Sequence, residues 1–353
     1  MVEAMERNSV LIVGSGMMGC GIACCSALAG NRTVLYDAAP DALSRAKART
    51  GENLDELVAQ GLCTRQQVAD ALALVETDAD LEHASETAKV VIEAVFEKLE
   101  LKQDIFARLD ALLPVEVPLL SNTSGLRITD IAARAQHPER TLTTHFWLPA
   151  NLIPLVEVVI GDHSDPALAQ TVSAMLKDWG KAPVIVKRDL PGQLANRILQ
   201  AVIREAVNIV EMGLASAEDV DTAVKMGMAL RFPVWGPLEH VDAVGLDICG
   251  PVQDTVLPEI SARQTASPMF KELMETGNMG YKTGRGFYDW SQKDMDALVK
   301  NLESSAPEII GVAPYEQCKQ FIEALARYQK FSDIRNVGAA IHSMIESVTE
   351  KMD

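Results

Sequence analysis

Short apolar runs and longer segments of helical period alternate along roughly the first 190 residues of the chain. This alternation predicts strand–helix–strand units, in which the strands form a mainly parallel sheet and helices cover its faces. The predicted strands are Val10–Val13, Thr33–Asp37, Val90–Ala94, Leu119–Ser121, Leu142–Phe146, Val156–Ile160 and Val184–Val186. The predicted helices include Asp41–Gly61, Glu100–Leu113 and Pro166–Trp179.

The segment Asp41–Ala79 does not fit a single crossover helix between two strands. Most of its residues favour a helix, and it is longer than an ordinary connection between neighbouring parallel strands. We therefore interpret it as a helical hairpin that projects from the sheet.

The pattern of apolar positions changes after Pro191. Between Leu194 and Met212 the apolar residues recur close to the helical period, and no further strand pattern follows. We predict a sheet domain over residues 1–190, an all-helical domain over 191–290 and a helical C-terminal extension over 291–353.

The first apolar run leads directly into a glycine-rich turn over residues 14–19 with the spacing G-x-G-x-x-G. Gly14 permits a tight turn, Gly16 lets backbone N–H groups approach a pyrophosphate, and Gly19 brings the helix close to the strand. Asp37 ends the second predicted strand, where its carboxylate can accept from ribose hydroxyls and would repel a 2′-phosphate. The pattern predicts a Rossmann-type doubly wound α/β fold that binds NAD. The predicted cofactor-binding residues of this unit are Gly14, Gly16, Met17, Met18, Gly19 and Asp37.

The composition narrows the class of function. The formal net charge of −17 argues against a nucleic-acid partner, because such binding needs clustered Lys and Arg. The six cysteines show neither a C-x-x-C pair nor zinc spacing with a histidine, so we predict free thiols and no metal site. A secretory signal and an apolar run of about 18 residues are both absent, and we expect a cytoplasmic enzyme without a membrane span.

Further motifs follow the glycine turn in a fixed order. They are Val91-Ile92-Glu93-Ala94 with Glu97, Ser121-Asn122-Thr123-Ser124, His145-Phe146, Pro154-Leu155-Val156-Glu157-Val158, Asn196-Arg197, Gly236-Pro237 and Lys282-Thr283-Gly284-Arg285-Gly286-Phe287-Tyr288. In this order and spacing the chain resembles the L-3-hydroxyacyl-CoA dehydrogenase family from about Ser9 to Trp290. The resemblance implies NAD-dependent oxidation of the 3-hydroxyl of a 3-hydroxy acid or its CoA thioester.

The resemblance also implies roles for individual side chains. His145 would be the general base, a role that suits an imidazole near neutral pH. Glu157 would orient the ring, and a carboxylate within an apolar strand needs a polar partner in any case. Ser124 would hydrogen-bond the substrate oxygen, while Asn196 would help to polarise the carbonyl. Ala94, Glu97, Lys102 and Asn122 match positions that contact the cofactor in the family.

The chain departs from the family pattern at places that concern the substrate. Leu148-Pro149 and Gly192-Gln193 stand where the family usually has Asn-Pro and Gly-Phe. The predicted hairpin is acidic over residues 53–61, whereas acyl-CoA enzymes typically carry lysines there for the CoA phosphates. The sequence of Leu152–Glu157 resembles that of one branch of the family, which includes the λ-crystallin-like gulonate dehydrogenases and the carnitine dehydrogenases. A free hydroxy acid and a CoA thioester therefore both remain open, with the free acid narrowly favoured.

Two other classes of function also remain open. A catalytically silent dinucleotide-binding protein, as among the crystallin relatives, would not need the intact set of His145, Glu157, Ser124 and Asn196. A dehydrogenase of the 6-phosphogluconate type uses a central lysine, and no matching lysine stands at residues 124–125. We further expect a homodimer through the helical domain, because a unit of ~100 residues cannot easily hide so much apolar surface.

Asp37→Ala should weaken NAD binding and narrow the preference for NAD over NADP. The variant loses the ribose acceptor and also the charge that repels a 2′-phosphate. Titration of the wild type and the variant with both cofactors measures the effect. Use of NADP as well as NAD by the wild type would contradict the role of Asp37.

Overall fold

The computed structural model describes residues 9–229, 231–232, 236–295 and 298. Within them the strands are β1 (Ser9–Val13), β2 (Arg32–Tyr36), β3 (Val75–Asp78), β4 (Val90–Glu93), β5 (Leu119–Ser121), β6 (Thr141–Phe146), β7 (Leu155–Ile160) and β8 (Ala182–Val186). The helices are α1 (Met17–Leu28), α2 (Pro40–Ala59), α3 (Arg65–Ala73), α4 (Leu81–Ser85), α5 (Leu99–Leu112), α6 (Ile128–Ile131), α7 (Pro166–Asp178), α8 (Ala195–Glu211), α9 (Ala217–Ala223), α10 (Pro237–Val244), α11 (Leu246–Val256) and α12 (Pro268–Glu275).

The strands form one sheet in the order β3-β2-β1-β4-β5-β6-β7-β8. Neighbouring strands run parallel except β6 and β7, which are antiparallel. The winding reverses between β1 and β4, which is where the carboxyl ends of the strands leave a crevice for a ligand in doubly wound sheets. The predicted Rossmann-type class is confirmed.

The helix α1 fits closely against the sheet because small residues line its first turns. Gly19, Cys20 and Ala23 are buried there. A Cβ atom on Gly19 would lie 1.8 Å from the carbonyl oxygen of Gly14, which itself has a φ of 110°. These two glycines therefore let the N-terminus of α1 begin directly at the end of β1.

The segment that the sequence predicts as a hairpin contains α2 and α3, followed by a strand that the prediction missed. Both helices pack on α1 and bury apolar side chains such as Leu54 and Val68 in the same core cluster. The strand β3 then pairs in parallel with β2 at the edge of the sheet. Its sequence, Val-Glu-Thr-Asp, buries only Val75, so the strand lacks the apolar run that identifies the others.

The chain continues as helices after β8, as the sequence predicts. Of the described residues, those up to Ala217 and those from Ile260 onwards form one compact unit, which includes α8 and α12. Glu218–Glu259 form a second unit, in which α10 packs on α11. No helix of the described residues is long and apolar enough to cross a membrane. Most of the predicted extension over 291–353 lies outside the described residues.

Candidate active site

A cavity of about 740 Å³ lies at the glycine turn between β1 and α1. Gly16 begins the helix, and a Cβ atom there would meet nothing within 4 Å, so the space above the turn is open. The cavity is lined by six of the residues predicted to bind the cofactor, namely Gly14, Gly16, Met17, Met18, Asp37 and Ala94. Its size and its position at a helix N-terminus fit a dinucleotide.

Asp37 also holds the glycine turn in place. Its Oδ2 atom accepts from the backbone N–H and from the hydroxyl of Ser15, at 2.8 and 2.9 Å. Arginine side chains that the sequence analysis did not assign to the cofactor, Arg45, Arg49 and Arg108, line the same cavity. They supply positive charge beside a site for an anionic cofactor in a chain whose net charge is strongly negative.

His145 and Glu157 face each other across the antiparallel pair β6 and β7. They are directly opposed in the register of the two strands. The Nδ1 atom of His145 lies 2.7 Å from Oε2 of Glu157, and both side chains are buried. A twelve-residue separation in sequence becomes one hydrogen bond because the chain reverses between the two strands.

Glu157 is fully buried, and four donors satisfy its carboxylate. Oε2 accepts from His145 and from the indole N–H of Trp147, at 3.1 Å. Oε1 accepts from the backbone N–H groups of Leu194 and Ala195, at 2.9 and 2.8 Å, where α8 begins. Burial by itself would raise the pKa of Glu157, but these hydrogen bonds outweigh it and lower the pKa to about 2.

Ser124 lies on the other side of the His145 ring, with its Oγ atom 3.1 Å from Nε2. The turn that carries Ser124 is held by Glu97, whose Oε1 accepts from the Thr123 hydroxyl and from the N–H groups of Ser124 and Gly125. Burial raises the pKa of Glu97, but the Thr123 hydrogen bond and the charge of Lys102 prevail and lower it. An ionised Glu97 therefore fixes the serine beside the histidine.

Lys102, Glu97 and Asn122 make their hydrogen bonds and ion pairs to protein groups and do not line the cavity at the glycine turn. The Nζ atom of Lys102 is buried, 2.7 Å from Oε1 of the buried Glu93 and 3.3 Å from Oε2 of Glu97. The Oδ1 atom of Asn122 accepts from the N–H of Phe146 at 2.8 Å. These side chains hold the ends of β4, β5 and β6 together at the edge where the site lies.

Asn196 is a predicted catalytic residue that the described part of the structure does not join to the other three by a hydrogen bond. It follows Ala195 in the first turn of α8, but no hydrogen bond among the described residues joins it to His145 or Ser124. It lines a separate open cavity of about 800 Å³ along α8. Among the described residues no group of His, Cys, Asp or Glu side chains could hold a metal ion.

The sequence analysis missed the groups that secure the His–Glu pair. Trp147 lies two residues after His145, directly past the end of β6, where the strand alternation continues the same face, so its proximity to Glu157 had a weak signal in the sequence. The N–H groups of Leu194 and Ala195 had none, because any residue supplies a backbone donor. Glu93 could have been found as a carboxylate in an otherwise apolar strand, the same signal that identified Glu157.

Two domain families of the same group of enzymes match consecutive parts of the chain. The family described as 3-hydroxyacyl-CoA dehydrogenase, NAD binding domain, matches residues 9–190, and the family described as 3-hydroxyacyl-CoA dehydrogenase, C-terminal domain, matches residues 192–290.

Individual relatives align with this chain over most of their own length. The 5-formyl-3-hydroxy-2-methylpyridine 4-carboxylate 5-dehydrogenase of Mesorhizobium japonicum is 35% identical over 294 residues, which are 83% of this chain and 94% of the relative. The 3-hydroxybutyryl-CoA dehydrogenase of Clostridioides difficile is 33% identical over 282 residues, 80% of this chain and 99% of the relative. A crystal structure of a 5-formyl-3-hydroxy-2-methylpyridine 4-carboxylic acid 5-dehydrogenase, described as an NAD⁺-dependent dismutase, superposes on this chain with a TM-score of 0.78 at 32% identity. The superposition covers 87% of this chain and 97% of the other chain.

Glu157→Gln should lower the free energy of unfolding by about 2 kcal/mol at pH 7, because an amide cannot satisfy four donors as a carboxylate does. Since folding lowers the pKa of Glu157 from 4.5 to about 2, its contribution is complete above pH 4.5 and is lost as the pH falls towards 2. Urea denaturation between pH 7 and pH 3 should therefore show the gap between wild type and variant closing.

The exposed Glu116 provides the control for that measurement. Glu116→Gln should leave the unfolding free energy close to that of the wild type throughout. A gap between wild type and Glu157→Gln that stays constant with pH would show that Glu157 is not held as the anion.

Proposed function

Because the chain belongs to the 3-hydroxyacyl-CoA dehydrogenase family, we propose that it oxidises the 3-hydroxyl of a small 3-hydroxy acid with NAD, and that His145, held by Glu157, takes the proton of that hydroxyl. The family makes the protein an NAD-dependent oxidoreductase that acts on CH–OH. The observation that carries the proposal is the line of contacts from Ser124 through His145 to the buried Glu157. NAD, when bound, supplies the acceptor for the hydride.

The tautomer of a neutral His145 ring follows from the charge of its partner. The carboxylate of Glu157, with a pKa of about 2, can only accept hydrogen bonds near neutral pH. Nδ1 of His145 must therefore donate to it, which leaves the lone pair on Nε2. That atom faces the hydroxyl of Ser124 at 3.1 Å, so a substrate hydroxyl held by Ser124 would lose its proton to Nε2. Glu157 would then stabilise the imidazolium.

The remaining site residues take supporting parts in this proposal. Asp37 and the glycine turn hold the cofactor, together with Ala94, whose backbone lies against Gly14. In this proposal Glu97, Lys102 and Asn122 contact the cofactor where it reaches the turn that carries Ser124. Asn196 contacts the substrate from the first turn of α8, for which the support is its neighbour Ala195, whose N–H donates to Glu157.

Charge favours a free acid over a CoA thioester. Three cations on α2, Arg45, Lys47 and Arg49, could meet CoA phosphates. Of these, Arg45 and Arg49 line the cofactor cavity. On the rest of the hairpin, the exposed Arg65 has the carboxylate of Asp55 at 3.7 Å beside it. Phosphates docked beside carboxylates lose affinity without compensating cations. The relative from Mesorhizobium, whose name gives a carboxylate without CoA as its substrate, supports the same choice.

His145→Gln should lower kcat by about 10²- to 10⁴-fold and leave the Kd for NAD nearly unchanged, because the general base is lost while the cofactor cavity is untouched. Glu157→Gln should lose turnover too, since the ring loses its orienting charge. The exposed His163 gives the matched control, and His163→Gln should keep wild-type kinetics. Near-normal turnover by the His145 variant would rule out this mechanism.

Free 3-hydroxy acids should be oxidised with a kcat/KM about 10-fold or more above that of the same acids as CoA thioesters. The measurement is NADH formation from one acid series in both forms, with reduction of acetoacetyl-CoA as the reverse reaction. Efficient reduction of acetoacetyl-CoA would reverse the choice of substrate. Failure to form NADH from any substrate would favour the catalytically silent alternative.

The proposal includes a cytoplasmic homodimer. The described cysteines are free thiols, which suits a reducing compartment. The helix α8 exposes Ile198 and Leu199 at 54% and 41% of their surface, which is much apolar area for one helix.

Ile198→Lys should convert the dimer to a monomer at micromolar concentration, because a charge would be buried in the interface. Sedimentation velocity measures the change. Leu112→Lys, at a comparably exposed apolar residue of α5, should leave the dimer intact. A monomeric wild type would contradict the dimer.

A further inference from the structure

The connection between β8 and α8 carries an unusual residue, Gln193. Among the described residues it is the one residue other than glycine with a positive φ, at 50°. We propose that Gln193 is a positioning residue that sets the place of Ser124 relative to the His145–Glu157 pair. This inference rests on the proposed function of that pair.

The backbone of Gln193 is fixed from both sides. Its N–H donates to the carbonyl of Leu190 at 3.1 Å, and the next two N–H groups donate to Glu157. A residue other than glycine rarely has its backbone in the left-handed region. This conformation costs free energy, so it persists only where the surroundings impose it. Here the hydrogen bonds from the next two N–H groups to Glu157 impose this conformation. The backbone of the connection is therefore tied to the His145–Glu157 pair.

The side chain of Gln193 leads from that fixed backbone to the turn that carries Ser124. It is buried, with 6% of its surface exposed, and its Nε2 donates to the carbonyl of Thr123 at 2.9 Å. Its Oε1 is buried and has no hydrogen-bond partner among the described residues. An unsatisfied buried acceptor lowers stability, as does the positive φ, so neither feature is explained by stabilisation of the fold.

Thr123 is therefore held from two directions. Glu97 accepts from its hydroxyl at 2.5 Å, while Gln193 donates to its carbonyl. The next residue places its Oγ atom 3.1 Å from Nε2 of His145. Loss of the Gln193 amide would free one side of the turn, and a displacement of Ser124 by a fraction of an ångström is enough to misalign a substrate hydroxyl.

The test replaces the amide with a side chain of similar length that cannot donate. Gln193→Met should lower kcat by about 10-fold or more, with the Kd for NAD within about twofold of the wild type. The melting temperature should stay within about 3 °C, because the variant loses a hydrogen bond and an unsatisfied acceptor together. Gln193→Gly, which also removes the cost of the positive φ, should show the same loss of kcat.

Ser124→Ala shows whether the effect passes through the serine. In that background Gln193→Met should have little further effect, because the hydroxyl that it positions is gone. Gln136→Met, at an exposed glutamine, is the control and should behave as the wild type.

Three results would overturn the role of Gln193: unchanged kcat, a parallel fall of kcat and melting temperature, or an equal loss with and without Ser124. Wild-type turnover by Ser124→Ala alone would overturn the role of Ser124 in the proposed function, and that of Gln193 with it. The single serine variant distinguishes this last case from the others.

Discussion

The buried carboxylate of Glu157 is the constraint on which the rest of the site depends. A charge without exposed surface costs several kcal/mol unless hydrogen bonds replace the lost water. Here the donors are His145, Trp147 and two N–H groups at the start of α8. They come from two separate parts of the chain, so satisfying one side chain fixes the histidine ring and anchors the first turn of α8 to the sheet.

The sheet brings the other groups to the same place. The parallel strands β1, β4, β5 and β6 have their carboxyl ends at one edge, and the glycine turn, Ser124 and His145 all lie at those ends. The antiparallel strand β7 is the exception that completes the site, because its reversed direction sets Glu157 opposite His145. The buried ion pair of Lys102 and Glu93 then ties α5 to the end of β4, and Asn122, directly after β5, accepts from the N–H of Phe146 in β6.

Local charge can favour an anion in a chain whose net charge does not. The chain carries a formal charge of −17, yet three arginines line the cofactor cavity beside a helix N-terminus. On the hairpin, by contrast, Arg65 lies 3.7 Å from the carboxylate of Asp55, and both side chains are exposed. The proposed choice of a free acid as substrate follows from this difference between the cavity and the hairpin.

The sequence by itself determined the parallel sheet, the glycine turn, Asp37 and the helical part after Pro191, because each leaves a local pattern of period or turn residues. It also indicated Glu157, since a carboxylate in an apolar strand needs a partner. The edge strand β3 left too little apolar pattern to be seen. Only the tertiary structure decided that backbone N–H groups of α8 hold Glu157, that Arg45 and Arg49 line the cofactor cavity, and that Gln193 reaches Thr123. Those contacts join residues far apart in sequence, and they depend on strand register and helix direction, which no local pattern encodes.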